Sequence, residues 1–594
     1  MKMSLTCVCV LFMWIICVHS TRHHYDARVI DTDRGVIRYS IENRGHRDFI
    51  KLVKSFTSGS VWVADQENLY SINTTTQVKG PQIKDECEEN SMCEYTISLL
   101  RDGLDENLLL VCGSTEEKTK CYNLNSSYSL DDNFQFDYGF NIHEPSLLIG
   151  DMLYFTKSNM GLYRINRKEM KDKIWPYHTV SEQKYVKLMA SKDTQKVYSF
   201  FTEKHRSVGG DCESGLWIPR VSQICTNDRG GSKDVLQFSW TSGINGRLYC
   251  GGLEGERPFT RIVDVDTVET HNDVKIYVLF RNLWNTSAVC VYNMSEINSV
   301  FNSSEFMKMK NMNAPEGHRP GQCVGDSTCL SADVLRFMKE GPEVKDWIMP
   351  ETTPLMFHHH HYTHIKVHTI NKATVLYLAL ESGGVHKVLE DQPVFIIAEF
   401  RPFPHGTHIS SMLLDTSEKR LYVSSGKEVI HIDLQMCHVY GDDCDGCVLS
   451  RDPYCDWNGS RCAPVSQNSV QHPAFSDLPK VAQSKTKPDG GAPVSIVPPS
   501  SRYYLLCPTI SRHASYHWYH GNTRLECVQS RHGCLHLIES MNETHEGSYR
   551  CESTEGDYHR NISRYELRMN ASPTLTVNTA LLPCFLLLLT RLLS

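Results

Sequence analysis

The sequence predicts an all-β protein: a seven-bladed β-propeller, then a small disulfide-rich domain, then an immunoglobulin-like β-sandwich. Three observations carry this. An apolar strand, a turn and a second strand recur seven times between Val61 and Leu434. Five cysteines then fall within the 26 residues Cys437–Cys462. Finally, a cysteine pair 44 positions apart, Cys507 and Cys551, encloses Trp518 and Tyr549.

The ends set the compartment. Residues 1–20 carry Lys2, an apolar run from Val8 to Val18 and a small residue at Ser20, the pattern of a cleaved signal peptide. A first transmembrane helix fits less well, because a span needs ~20 apolar residues. Nine N-x-S/T sequons follow, at Asn73, Asn125, Asn285, Asn293, Asn302, Asn458, Asn542, Asn561 and Asn570. They fit a secreted glycoprotein. In that compartment disulfides are the default reading of cysteine. The apolar stretch Leu581–Leu593 contains Thr590 and Arg591. At 1.5 Å per residue it reaches roughly 20 Å, short of a bilayer core of ~30 Å. With the small residues Asn570-Ala571-Ser572 and a spacer upstream, it reads as a GPI-attachment signal, Asn570 being the attachment site. A poor tail anchor and a secreted chain are the alternatives. Net charge is −8 with a pI near 6.4, and no long basic run appears, which disfavours nucleic acid as the partner.

The repeating units begin at Val61, Leu108, Met152, Lys196, Lys275, Val375 and Arg420. Alternation of apolar and polar residues, with Gly, Asn and Ser at the turns, predicts half-buried antiparallel hairpins. The first four units and the last two lie about 45 residues apart, the period of a propeller blade. Wider gaps near 200–275 and 285–375 predict insertions in later blades. A set of β-sandwiches is the alternative, and the regular period disfavours it.

The ten cysteines of this region, Cys87, Cys93, Cys112, Cys121, Cys212, Cys225, Cys250, Cys290, Cys323 and Cys329, suit five bridges that spacing alone does not assign. The segment Cys437–Cys462 is too short to bury a core of its own, so cross-links must order it as a wedge between two β domains. A zinc site at the C-x2-C pair Cys444–Cys447 is the alternative, and the oxidising compartment disfavours it. A Pro/Gly/Ser-rich linker follows, ending at KPDGGAPVSIVPPSS. In the last domain Trp518 is expected to pack on a Cys507–Cys551 bridge, and Tyr549 to make a corner hydrogen bond. Cys527 and Cys534 offer a second bridge.

The motifs are specific. ICTNDRGG at Ile224–Gly231, WTSGINGRLYC at Trp240–Cys250, SAVCVYNMSEINSVFN at Ser287–Asn302, HRPGQC at His318–Cys323, SGGVHKV at Ser382–Val388 and CVLSRDPYCDWNGSRC at Cys447–Cys462 resemble the semaphorins. SRYYLLCPTISRHASYHWYH at Ser501–His520, with the GPI signal, resembles their GPI-anchored class 7. The resemblance implies a sema domain over 21–436, a PSI domain over 437–463, a linker over 464–500, an Ig-like domain over 501–566 and an anchor signal over 567–594. It implies disulfides Cys87–Cys93, Cys112–Cys121, Cys225–Cys323, Cys250–Cys290, Cys437–Cys455 and Cys447–Cys462, with Cys212–Cys329 as an extra pair. Cys444 is left odd, as a free thiol, an interchain bridge or a partner of Cys527 or Cys534. It also implies homodimers and recognition of a plexin, a C-type plexin first, by rim loops whose contact residues one sequence does not reveal. The outcome would be signalling in axon guidance, cell migration and immune regulation from the outer face of the plasma membrane. Class 7 members are linked to integrins through Arg-Gly-Asp, and here only the scrambled Arg101-Asp102-Gly103 occurs. An integrin-binding ligand or shed decoy is therefore the second reading.

No catalytic or cofactor constellation emerges. His358–His361 with His364 suggest a metal site, but no cysteine or carboxylate pair stands near them, and a surface loop explains them. A propeller glycosidase, the third reading, needs paired carboxylates. Asp65, Asp151, Asp193 and Asp415 lie at blade turns, where Asp serves the turn.

Overall fold

The computed structural model describes residues 28–570 apart from 32–35, 42–49, 56–58, 74, 82, 84–95, 103–107, 116, 169–171, 178–181, 205–216, 252–258, 309–312, 358–359, 392–393, 441–443, 466–492, 531–532 and 556–557. The expected signal peptide, the tail beyond Asn570, and Cys87, Cys93, Cys212, His358 and His359 lie outside the described residues. Two compact units are present, one spanning Val29–Asp477 and one holding the C-terminal domain.

The first unit is a propeller of seven mainly antiparallel sheets. Blade 1 runs over Lys51–Lys79, blade 2 over Thr96–Phe136 and blade 3 over Ser146–Asn166. Blade 4 begins with Gln183–Ala190, blade 5 with Arg261–Glu269, blade 6 with Tyr362–Ile370 and blade 7 with Ser411–Asp415. These first strands contact one another in order, and that of blade 7 contacts that of blade 1, closing a ring around the axis. Closure is made chemically by Ile37–Ser40, which pairs antiparallel with Glu428–Asp433 as the outermost strand of blade 7. No sheet in the ring is left to end a stack of blades, which removes the edge hazard of an all-β chain.

Half-burial is not what the middle strands show. Leu109–Ser114 is buried at every position, and Val274–Arg281 at all but two. A blade lies between two neighbours, so both faces of its central strands meet apolar surface. The alternation legible in the sequence therefore survives only in part, as in Thr119–Leu124, the third strand of blade 2.

The expected insertion proves to be an excursion from blade 5 to blade 4. Between Ser287–Asn293 and Leu355–Phe357, both strands of blade 5, the chain forms helix Met294–Ser303, helix Ala332–Lys339 and strand Glu343–Ile348. That last strand pairs in parallel with Ile244–Leu248 at the edge of blade 4. The second helix starts where the Ser331 side chain accepts from the Val334 amide, and it carries Asp333 in its first turn and Arg336 and Lys339 in its last. Both charges oppose the helix dipole correctly.

The wedge does not stand apart from the propeller as an independently stapled piece. Tyr440, Cys447, Tyr454 and Cys455 share one apolar core with Tyr377, Ile397, Leu421 and Ile432 of blades 6 and 7. Its two bridges, Cys437–Cys455 and Cys447–Cys462, add to a core that the last blades supply.

In the second unit, two sheets face each other: Val494–Val497, Tyr558–Met569, Gly547–Glu555, Ser515–His520 and Thr523–Leu525 in one, and Tyr503–Pro508, Gly533–Ile538 and Val528–Gln529 in the other. Cys507–Cys551 joins them. Trp518 is fully buried, its Nε1 donating to the Cys534 carbonyl at 3.1 Å, and the Tyr549 hydroxyl donates to the His545 carbonyl at 3.0 Å. This is the Trp and tyrosine-corner arrangement of an immunoglobulin sandwich.

Candidate functional site

The motif ICTNDRGG ends strand Trp217–Cys225 and enters a loop whose geometry Asp228 controls. Asp228 Oδ1 accepts from the Gly230 amide at 2.8 Å and the Thr241 hydroxyl at 3.0 Å. Its Oδ2 accepts from the amides of Thr241 and Ser242 at 2.8 and 2.9 Å and from the Ser242 hydroxyl at 2.6 Å. One buried carboxylate thus clamps the two ends of segment 230–241, which explains why NDRGG and WTSG occur together. The glycines are required by close approach: a Cβ on Gly231 would lie 2.3 Å from the Val235 carbonyl, and one on Gly230, at φ +83°, 2.8 Å from the Phe238 amide. Cys225–Cys323 ties the same loop to the excursion. There the Arg319 guanidinium donates to the carbonyls of Phe301 and Ser304 at the end of the first helix.

What the clamp presents is Phe238. Leu236 and Phe238 both take left-handed backbone angles, φ +58° and +57°, a conformation costly for bulky side chains and usually held where function needs it. Leu236 points inward and is 3% exposed, whereas Phe238 is 50% exposed. The Phe238 ring lies 5.6 Å from that of Trp175, and the Trp175 amide donates to the Phe238 carbonyl at 3.0 Å. Trp175 and Tyr177 are themselves exposed, and Lys339 Nζ stands 4.8 Å from the Tyr177 ring centre. Beneath them Arg164 is buried, bonded to the Thr226 carbonyl and Asp172 at 2.7 Å each. Three exposed aromatic rings and a cation on a rigid base have the composition of a protein-recognition hot spot. Nothing in the sequence marked Phe238, because LQFSW reads as an ordinary apolar strand.

SGGVHKV and DPYC meet in the core. Lys387 Nζ lies 2.6 Å from Asp452 Oδ2, both side chains being almost completely buried, and also donates to the Leu434 carbonyl at 2.9 Å. The Tyr440 hydroxyl donates to the same Asp452 oxygen at 2.6 Å, and the Tyr454 ring lies 4.2 Å from Lys387 Nζ. Burial lowers the Lys387 pKa, and Asp452 offsets part of that loss.

Two of the described histidines, His386 and His364, are held in structural roles. His386 bonds the Tyr362 hydroxyl at 2.7 Å and faces Glu399 at 3.8 Å. Burial alone would raise the Glu399 pKa, but hydrogen bonds from His386 and Arg401 outweigh it and hold the carboxyl well below its usual range. His364 sits on an axis-lining strand, where burial lowers its pKa. Among the described residues no three His, Cys, Asp or Glu side chains converge as a metal site. The four turn carboxylates stay at their turns. Asp65, Asp193 and Asp415 accept from amides two residues on at 2.7, 3.1 and 3.1 Å, and Asp151 faces Lys168 at 3.3 Å.

The structure joins Cys112 to Cys121, Cys225 to Cys323, Cys250 to Cys290 and Cys527 to Cys534. The expected Cys212–Cys329 pair is corrected: Cys329 ends the turn Ser327–Cys329 as an exposed free thiol, its Sγ directed at Asp326. Cys444 is exposed at the start of helix Cys444–Leu449, and the Cys527–Cys534 bond removes two of its suggested partners. Asn73, Asn125, Asn458 and Asn542 each accept from the sequon hydroxyl, at 3.2, 2.7, 2.9 and 2.6 Å. Asn285, Asn302, Asn561 and Asn570 are exposed, and Asn293 is half-buried before a helix. Among the described residues no helix is long and apolar enough to cross a membrane.

Comparison with known proteins gives consistent matches along the chain. The Sema domain model matches residues 261–416, the Plexin repeat model 436–481 and the Semaphorin-3/4/7A immunoglobulin-like model 493–579. Semaphorin-7A of Mus musculus is 33% identical over 555 residues, covering 86% of this chain and 82% of the relative. Semaphorin-7A of Homo sapiens is 31% identical over 553 residues with the same coverage. Among solved structures, Drosophila Semaphorin 2a, 18% identical, covers 93% of this chain and 100% of its own at a TM-score of 0.72. A chain from Drosophila Plexin A in complex with Semaphorin 1b, 21% identical, covers 71% of this chain and 92% of its own at 0.60. These two likenesses concern the fold.

Proposed function

The chain belongs to the semaphorin family of signalling ligands, which are not enzymes, and from that premise we propose that it binds a plexin through the face made by Trp175, Tyr177, Phe238 and Lys339. The observation that carries this is the strained, exposed Phe238 held by a fully buried clamp. A plexin is the partner class proposed because one structure sharing this fold comes from Drosophila Plexin A in complex with Semaphorin 1b. The resemblance to class 7 makes a C-type plexin the first to test, with guidance of axons and of migrating and immune cells as the outcome. Two copies of the chain would bring two receptors together, raising avidity without new chemistry.

Phe238→Ala is expected to weaken plexin binding to the ectodomain at least tenfold while leaving the melting temperature unchanged, since truncating a central aromatic anchor costs ~2 kcal/mol or more. Surface plasmon resonance and calorimetry of the same preparation read both quantities. Undiminished binding would remove this face from the interface, and binding only to integrins would establish the second reading. That reading lacks a displayed tripeptide, because Arg101 belongs to an axis-lining strand and donates to Ser146 at 3.1 Å.

Display at the outer face of the membrane rests on Asn570-Ala571-Ser572 and the apolar stretch Leu581–Leu593. Phosphatidylinositol-specific phospholipase should release most of the protein from expressing cells. Full retention after treatment would show another mode of attachment.

A further inference from the structure

Charged side chains stand on the axis-lining first strands of five blades. Blade 1 contributes Lys51, blade 2 Arg101, blade 4 Lys187, blade 5 Asp264 and Asp266, and blade 6 Lys366, each on the first strand of its blade. Four of these strands carry a bulge, between Ile97 and Leu99, Tyr185 and Lys187, Ile262 and Asp264, and Tyr362 and His364. A bulge re-aims the side chains beside it. The Arg101 guanidinium acts electrostatically on Lys51, Lys187 and Lys366. Blades 2, 4 and 6 are not neighbours, so their head groups come within reach of one another only in the channel.

The carboxylates there are already committed. Asp264 accepts from the Ile365 amide at 2.9 Å and Asp266 from the Val367 amide at 2.8 Å, with Lys366 Nζ 3.9 Å from Asp266. Arg101 donates through Nε to Ser146, leaving the outer edge of its fork open. Among the described residues Lys51 and Lys187 make neither a hydrogen bond nor an ion pair with another side chain. Both remain partly exposed, so solvent reaches them. Burial first, then the neighbouring Arg101, pushes the Lys51 pKa down to about 7. Asp266 and Asp264 act on Lys187 and Asp102 acts on Arg101, so among these groups the cations Lys51, Arg101, Lys187 and Lys366 outnumber the carboxylates by four to three, and an excess of buried positive charge is costly.

We propose that the axial channel of the propeller binds a small multivalent oxyanion of the phosphate or sulfate type, held by Lys51, Arg101 and Lys187. The guanidinium offers a planar pair of donors that matches two oxyanion oxygens, and the two ammonium groups neutralise the remaining charge. The ligand would also join three blades electrostatically and so stabilise ring closure by mass action.

Titration calorimetry and thermal unfolding of the secreted, glycosylated protein with inorganic phosphate and with inorganic sulfate, at constant ionic strength, test this. Saturable binding with a raised melting temperature is expected, and a tenfold preference for one anion would identify its chemistry. Lys51→Met and Lys187→Met should each weaken binding at least tenfold. Neither should lower the melting temperature without anion, because each removes a charge from a channel in which cations outnumber carboxylates. Absence of saturable binding in the natural protein, or undiminished affinity in both variants, would overturn the proposal. So would variants that melt well below the natural protein without anion, since the cations would then be serving the fold itself.

Discussion

Lys387→Met is expected to destabilise the propeller by about 3–5 kcal/mol, the effect of leaving one member of a buried ion pair uncompensated. Asp452 is only 5% exposed and would be left beside the Tyr440 hydroxyl with its main partner gone. Asp452→Leu should be comparably damaging, because it strands the ammonium. The double variant Lys387→Met/Asp452→Leu should recover most of the loss, since apolar residues of similar volume replace a pair whose desolvation consumes much of its attraction. Urea unfolding of the three purified variants measures this directly, with secretion level as a second readout. Additive losses in the double variant would mean that the two residues act independently, contrary to their 2.6 Å contact.

Asp228→Ala should cost at least about 3 kcal/mol, because it leaves buried amide and hydroxyl donors of Gly230, Thr241 and Ser242 without an acceptor, each a penalty of roughly 1–3 kcal/mol. Loss of the clamp also releases the turn that holds Phe238 at φ +57°, so receptor binding should fall together with the melting temperature. Phe238→Ala, in contrast, separates the two. Asp228→Asn should fall between, because an amide retains one acceptor oxygen and places a donor opposite other donors. A variant Asp228→Ala with the natural melting temperature would show that the hydrogen bonds are replaceable.

The sequence carried the architecture because architecture depends on repetition. Seven hairpins are visible one after another, the first four and the last two at a near-constant period, and the Cys507, Trp518, Tyr549 and Cys551 set is local to one domain. Contacts between repeats were not legible. SGGVHKV and DPYC were each recognisable as motifs, yet the bond between Lys387 and Asp452 joins positions 65 apart in a core shared by the wedge and the last blades. Cys329 shows the limit of parity arguments: an even count suits complete pairing, but Cys329 occupies a surface turn and remains a thiol. Lys51 in KLVK and Arg101 at the end of TISLLRD resemble charges at solvated strand ends. Only closure of the ring turns those ends toward a common axis. Phe238 escaped notice for a different reason, since exposure there follows from a backbone angle rather than from composition.

Ring closure also imposes a timetable on synthesis. Arg38 and Glu428 face each other across the final strand pair, yet they are separated by 390 positions. At a translation rate of ~5–20 residues per second, roughly 20–80 s pass between their emergence from the ribosome. Throughout that interval the early strand has no partner and the growing stack of blades has an unsatisfied flank open to chaperones or to other nascent chains. A stop codon or frameshift anywhere before blade 7 would make that state permanent, so truncated products should be retained and degraded within the secretory pathway instead of appearing as shorter ligands. A strand made among the first is thus among the last to be seated.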